Sequence, residues 1–172
     1  MKTPKTLKTI TKAQFNKLSN PEKRVLIAQD VVAQLEAKKF VQKRGSYFEF
    51  EVPDKKLHHY ELVKGERYSP LDDCYADSRK ESAQKLIKDS TCYVCAKGAA
   101  ICSFVQKFNE KEISELHEDD DDLAEIFGHN LWQELERHFE GWDGNSQKSL
   151  KSLMNNIIEN KGFLKINKVL IG

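Results

Sequence analysis

The chain has 172 residues, a net charge of +1 and 39% hydrophobic residues, which suits one domain with a core that needs neither metal nor disulfide. The balance of 28 basic against 27 acidic residues excludes a wholesale DNA mimic or a histone-like binder. No apolar run approaches the roughly 20 residues that span a bilayer, and the first residues are lysines and threonines where a signal peptide is apolar. The expectation is a cytoplasmic protein with no membrane partner, whose four cysteines stay reduced.

Residues 1–20 carry Lys2, Lys5, Lys8, Lys12 and Lys17 with no acid, and only Leu7, Ile10, Phe15 and Leu18 to anchor them. They read as a basic, flexible N-terminal arm or a short docking helix, ahead of a single compact domain over 21–172. Asn20 is placed as an N-cap with Pro21 at the first helical position, and Val25, Leu26, Ala28, Val32, Leu35 and Phe40 follow at helical spacing. Gly45 stops the chain. Phe48, Phe50 and Val52 then alternate with Tyr47, Glu49 and Glu51, the pattern of a half-buried strand. A turn at 53–56 predicts a hairpin returning through His59 to Val63.

A helix is expected over about 78–88, and Ser90 and Thr91 are suited to cap a second one running from Cys92 through Phe108. The middle of that second helix has almost no charge, so it is predicted to be the buried central element. Residues 110–122 hold eight acids against Lys111 and lead into Leu123, Ile126 and Phe127. Gly128 and Asn130 mark a stop and a new start, with Leu131, Leu135 and Phe139 on one face. A turn and cap at 143–146 precede a helix through Leu150, Leu153, Met154, Ile157 and Ile158; Gly162 closes it, and 163–171 reads as a terminal strand or extended tail. The fold class is α+β, a mainly helical single domain with a small antiparallel β element.

Cys92, Cys95 and Cys102 are the chemically suggestive residues. On one helix, Cys102 would lie roughly 10 Å from Cys95 along the axis, whereas two thiolates on one zinc sit about 4 Å apart. Cys92 and Cys95 then lack further ligands, since Cys74, His58, His59 and His117 have no paired spacing. A redox role would draw on a helix N-terminus to favour the Cys92 thiolate, but no strong parallel strand precedes the motif. The reading preferred is a stripe of small surface, Cys92, Cys95, Ala99 and Cys102, packed against another helix, with no metal and no cofactor. The acidic run lacks the spacing of a calcium loop, as does Asp143-Gly-Asn145. No nucleophile elbow, metalloprotease helix or phosphate-cradling glycine loop is present, so no catalytic residue is assigned. Trp132, Trp142 and Lys97 are candidate binding residues. Lys2, Lys5, Lys8 and Lys12 are the candidate nucleic-acid contacts, weak and unspecific because arginines and interleaved aromatics are missing.

Four segments together resemble an uncharacterised family of small proteins associated with tailed phages, prophages and bacterial genomes. They are the helix ending near Lys39-Phe40, Cys92-Tyr-Val-Cys95-Ala96-Lys97-Gly98-Ala99, Phe139-Glu140-Gly141-Trp142, and Met154-Asn-Asn-Ile157-Ile158-Glu-Asn160-Lys-Gly162. The resemblance implies a phage-linked origin and a compact helical fold, and it transfers no activity. Such proteins often have an apolar residue where Lys97 stands, so the lysine suggests a partly exposed helix start. The functional expectation is a non-enzymatic accessory protein that binds a host bacterial protein or a small signalling ligand. The alternatives are a thiol redox or other enzyme using Cys92 and Cys95, and a nucleic-acid or virion-associated protein using the lysine arm.

Overall fold

The computed structural model describes residues 10–72, 79–117, 120–144 and 147–172. It is a mainly helical α+β fold with the element order α1 (Lys12–Asn16), α2 (Asn20–Glu36), β1 (Phe40–Gln42), β2 (Phe48–Glu51), α3 (Ala83–Asp89), β3 (Thr91–Val94), α4 (Ala96–Lys107), α5 (Asp121–Phe127), α6 (His129–Glu140), α7 (Leu150–Glu159), β4 (Leu164–Ile166) and β5 (Val169–Ile171). Short 3-10 turns lie at Asp54–His59, Ile113–Glu115 and Trp142–Gly144.

Helix α4 is the centre. Every residue from Ala96 to Val105 is buried, and α2, α3, α5 and α6 pack around it. A helix covered on all sides cannot be amphipathic, which explains the run Ala96, Gly98, Ala99, Ala100, Cys102 and Ser103: small side chains let neighbouring backbones approach. β3 feeds directly into α4 and is the middle strand of a three-stranded sheet ordered β1-β3-β2, parallel to β1 and antiparallel to β2. Cys92 pairs with Phe40 on one side and Phe50 on the other, and all three are buried on the face toward the helices.

The remaining elements follow from local signals. The Glu22 carboxylate accepts from the Ser19 N–H (2.9 Å) and O–H (2.6 Å), which makes Ser19 the N-cap of α2 in place of the expected Asn20. The helix ends at Glu36, and Lys38 adopts a left-handed φ of +58°, so Phe40 belongs to β1 and not to the helix. The tail is a hairpin, β4 with β5, turned by Asn167 (φ +48°) and Lys168 (φ +69°). The Asp120 carboxylate caps α5 by accepting from the Leu123 N–H (3.1 Å) and is held by Lys111 (2.7 Å). The acidic run is therefore a helix start in its described part.

Three sequence expectations are corrected. Cys92 does not lie on the central helix: residues 91–94 are a strand, Cys95 is the N-cap, and the helix begins at Ala96. Ser90 and Thr91 accordingly cap nothing there. The second strand at His59 to Val63 is absent, because β2 takes β3 as its partner and residues 54–59 wind into a 3-10 turn that buries Leu57. The close contact at Gly98 is made by a loop backbone, not a helix, since a Cβ there would overlap the Tyr47 carbonyl oxygen. Among residues 1–20, Lys12–Asn16 form the docking helix, with Phe15 buried and its ring stacked on Phe108 at 4.0 Å. Lys2, Lys5, Leu7 and Lys8 lie outside the described residues.

The Tyr47 carbonyl accepts the Cys95 N–H at 3.1 Å, so it cannot move away from Gly98 without giving up that bond. Gly98→Ala is therefore expected to lower stability by about 2 kcal/mol or more. Chemical denaturation of the variant checks this, and Ala99→Gly serves as a control for general helix weakening.

Candidate functional site

The junction between β3 and α4 gathers the residues that sequence reasoning singled out. The Cys95 Sγ accepts from the Gly98 N–H at 3.4 Å as the helix N-cap. The Cys92 thiol lies against the Cys102 thiol, which its presence helps to hold neutral, and it also approaches the Ile87 carbonyl oxygen at 3.7 Å. The roughly 10 Å along the helix still separates Cys95 from Cys102, but the strand-to-helix turn brings Cys92 back alongside Cys102. All three thiols are buried and free of disulfides. Burial pushes the Cys95 thiol up to about 11, against the opposing pull of the Gly98 N–H, and raises Cys102 well above the usual thiol value. Among the described residues no group of three or more His, Cys, Asp or Glu side chains is placed to hold a metal. Cys74 lies outside them.

In the first turn of α4, Lys97 is 8% exposed, so the partly exposed helix start suggested by its charge is corrected. Its ammonium pairs with the Glu136 carboxylate of α6 at 2.8 Å. It also stands 5.6 Å from the centre of the Trp132 ring and 6.0 Å from that of Tyr47, at the outer range of cation–π attraction. Trp132 is buried and tilted against Phe127 at 5.1 Å, which places it in the core and removes it as a surface anchor. Trp142 is 53% exposed.

A second buried polar group links α4 to α2. Asp30 is 3% exposed and accepts from the Ser103 O–H at 2.9 Å, from Gln34 at 3.4 Å, and stands 3.6 Å from the Lys107 ammonium. Burial raises its carboxyl pKa above the ordinary range, against the counteracting charge of Lys107 and the hydrogen bonds of Ser103 and Gln34.

A concave surface lies elsewhere. Between α1, the start of α2, the end of α4 and α5 there is a cleft of about 300 Å³. Phe15, Phe104, Phe108 and Ile126 form its apolar wall, and Lys12, Lys23, Asn109 and Asp122 are on its rim. Lys12 Nζ donates to Asn109 Oδ1 at 3.2 Å, and Asn109 Nδ2 donates to Asp122 at 3.0 Å. Lys12 is thus part of a cleft wall. The sequence carried Phe15 and Phe108 as apolar positions of separate elements; nothing local signals that they stack across 93 positions of chain.

No family model, no curated protein and no solved structure matches the chain.

Two predictions follow from the buried polar pairs. Removing one partner of the Lys97–Glu136 pair strands a buried charge, so Glu136→Ala is expected to cost about 3–5 kcal/mol. The joint change Lys97→Met with Glu136→Leu is expected to be near neutral, since it replaces two desolvated charges with packed apolar groups. Denaturant melts of the two variants separate these outcomes. For Asp30, the folded pKa lies above the unfolded one, so its contribution to stability is complete below about pH 4 and is lost as pH rises through the folded value. Asp30→Asn should flatten that part of the stability-versus-pH curve, measured by urea melts across the acid range.

Proposed function

We propose that the chain is a non-enzymatic, phage-linked accessory protein of the bacterial cytoplasm that works by binding a host protein or a small ligand. The observation that carries this reading is the cleft between α1, α4 and α5. Its volume of about 300 Å³ falls at the lower end of small-ligand sites, and it combines an aromatic wall with a few polar groups of both signs. Such a lining recognises a compact, partly apolar molecule, or one protruding side chain of a partner, that also offers hydrogen-bonding atoms.

The reading against thiol catalysis is supported by the environment of the cysteines. A nucleophilic or redox-active cysteine needs its thiolate stabilised and accessible, whereas Cys95 and Cys102 are buried with their pKa values pushed upward. Among the described residues no helix is long and apolar enough to cross a membrane. The phage link rests on the segment resemblance alone.

Asn16 is exposed at the end of α1 and lines the cleft, so Asn16→Trp fills the space without disturbing the core. A fragment screen by amide NMR is expected to give ligands that shift the residues of this cleft, and a host protein captured from a bacterial lysate is expected to be lost with Asn16→Trp. The reading fails if capture and ligand shifts are unchanged in Asn16→Trp, or if Cys92→Ala with Cys95→Ala abolishes binding in a protein that still folds.

A further inference from the structure

On the side of α4 away from the aromatic cleft, α3 and the end of α4 enclose a second cleft of about 520 Å³. Its lining is Ser82, Gln84, Lys85, Lys88, Gln106 and Lys107, three cations and three neutral polar residues with no carboxylate among them. We infer that this cleft is a binding site for a phosphate-bearing anion.

Two of its three lysines carry charge that no carboxylate pairs with among the described residues. Lys85 and Lys88 make no ion pair among the described residues. Asp89, the carboxylate whose field Lys85 reaches, is held by the Lys56 ammonium and by the Tyr60 hydroxyl at 3.2 Å. Lys107 shares the buried Asp30 at 3.6 Å and keeps about half of its side chain in solvent.

The neutral groups are set to donate. The Gln34 NH2 donates to Asp30 Oδ1 and to Gln106 Oε1, at 3.4 and 3.1 Å. With its oxygen occupied, Gln106 has its own NH2 left to offer. The Ser82 oxygen accepts the Lys85 N–H at 3.2 Å, which leaves the hydroxyl proton available. Three ammonium groups, an amide NH2 and a hydroxyl match an anion of more than one charge with several acceptor oxygens. A phosphate group meets both conditions. No aromatic side chain lines the cleft to stack a base, so the recognised part is the phosphate itself.

The test is titration of the full chain with inorganic pyrophosphate at low ionic strength, followed by calorimetry and amide NMR. Citrate is the control of similar charge, and a single-stranded oligonucleotide is the second arm. The expected result is pyrophosphate binding that shifts the amides of Ser82, Lys85 and Gln106 and falls by about tenfold or more in Lys85→Glu with Lys88→Glu. Both lysines are exposed, so the variant should keep the parent melting temperature. Gln106→Leu should weaken pyrophosphate while leaving the net charge unchanged, which separates hydrogen bonding from attraction at a distance. Oligonucleotide binding with the same dependence on Lys85 and Lys88, and no pyrophosphate binding, would support the site and assign the phosphate to a nucleic-acid backbone. Equal affinity for citrate and pyrophosphate, or pyrophosphate binding indifferent to the lysine and glutamine changes, would overturn it.

Discussion

The fold depends on a helix that has no exposed face in its first ten residues. From Ala96 to Val105 α4 is covered by four helices and by the strand that feeds it, so its residues are chosen by volume before any other property. Gly98 is the tightest point, because the Tyr47 carbonyl occupies the place where any Cβ would stand. That carbonyl also receives the Cys95 N–H, one of the donors left open at a helix start. One short loop ahead of β2 therefore satisfies the helix terminus and fixes the distance between the sheet and the central helix.

Complete burial of one element makes each polar side chain on it consequential. Lys97 and Ser103 are the buried polar residues of α4, and each reaches a carboxylate on a different neighbour: Glu136 on α6 and Asp30 on α2. Both contacts sit among apolar side chains whose attraction has no directional preference. The ion pair and the hydrogen bond do have direction, so they favour one rotation of α4 against its neighbours. The same low dielectric that strengthens them makes an unpaired member expensive. Asp30 further orders Gln34 and Gln106, which carries the consequence of burial out to the surface cleft beside α3.

Where hydrophobic period and caps agree, the sequence is explicit. Helices α2, α6 and α7 and strand β2 lie close to where Pro21, the Leu131 to Phe139 face, the Leu150 to Ile158 pattern and the Phe48, Phe50 alternation put them. The segment 91–95 is different in kind. A five-residue run of Thr, Cys, Tyr, Val and Cys has no length over which a period of 3.6 can be told from one of 2, and its β-branched and aromatic members favour a strand. The small residues that favour close helix packing begin only at Ala96. Reading both stretches as one helix placed Cys92 a turn before Cys95 and far from Cys102, when the junction folds it back beside Cys102. The two clefts were not legible for a related reason. Phe15 with Phe108, and Lys85 with Lys107, meet only through the packing of α1 and α3 on α4, and no local pattern encodes those meetings.

The β3–α4 junction also shows which of two opposing effects controls the cysteines. A helix N-terminus stabilises a negative charge by about 0.3–1 kcal/mol, and the Gly98 N–H aimed at Cys95 Sγ is the local form of that effect. Against it stands desolvation, which takes the Cys95 pKa from the ordinary 9.0 to about 11. A change of that size disfavours the thiolate by on the order of 3 kcal/mol, so burial outweighs the helix terminus. Cys102, deeper still and beside Cys92, is displaced in the same direction. The start of α4, where Cys95 sits, is also where Gly98 meets the Tyr47 carbonyl and Lys97 meets Glu136. The contacts that seat the central helix are thus the same ones that bury its cysteines.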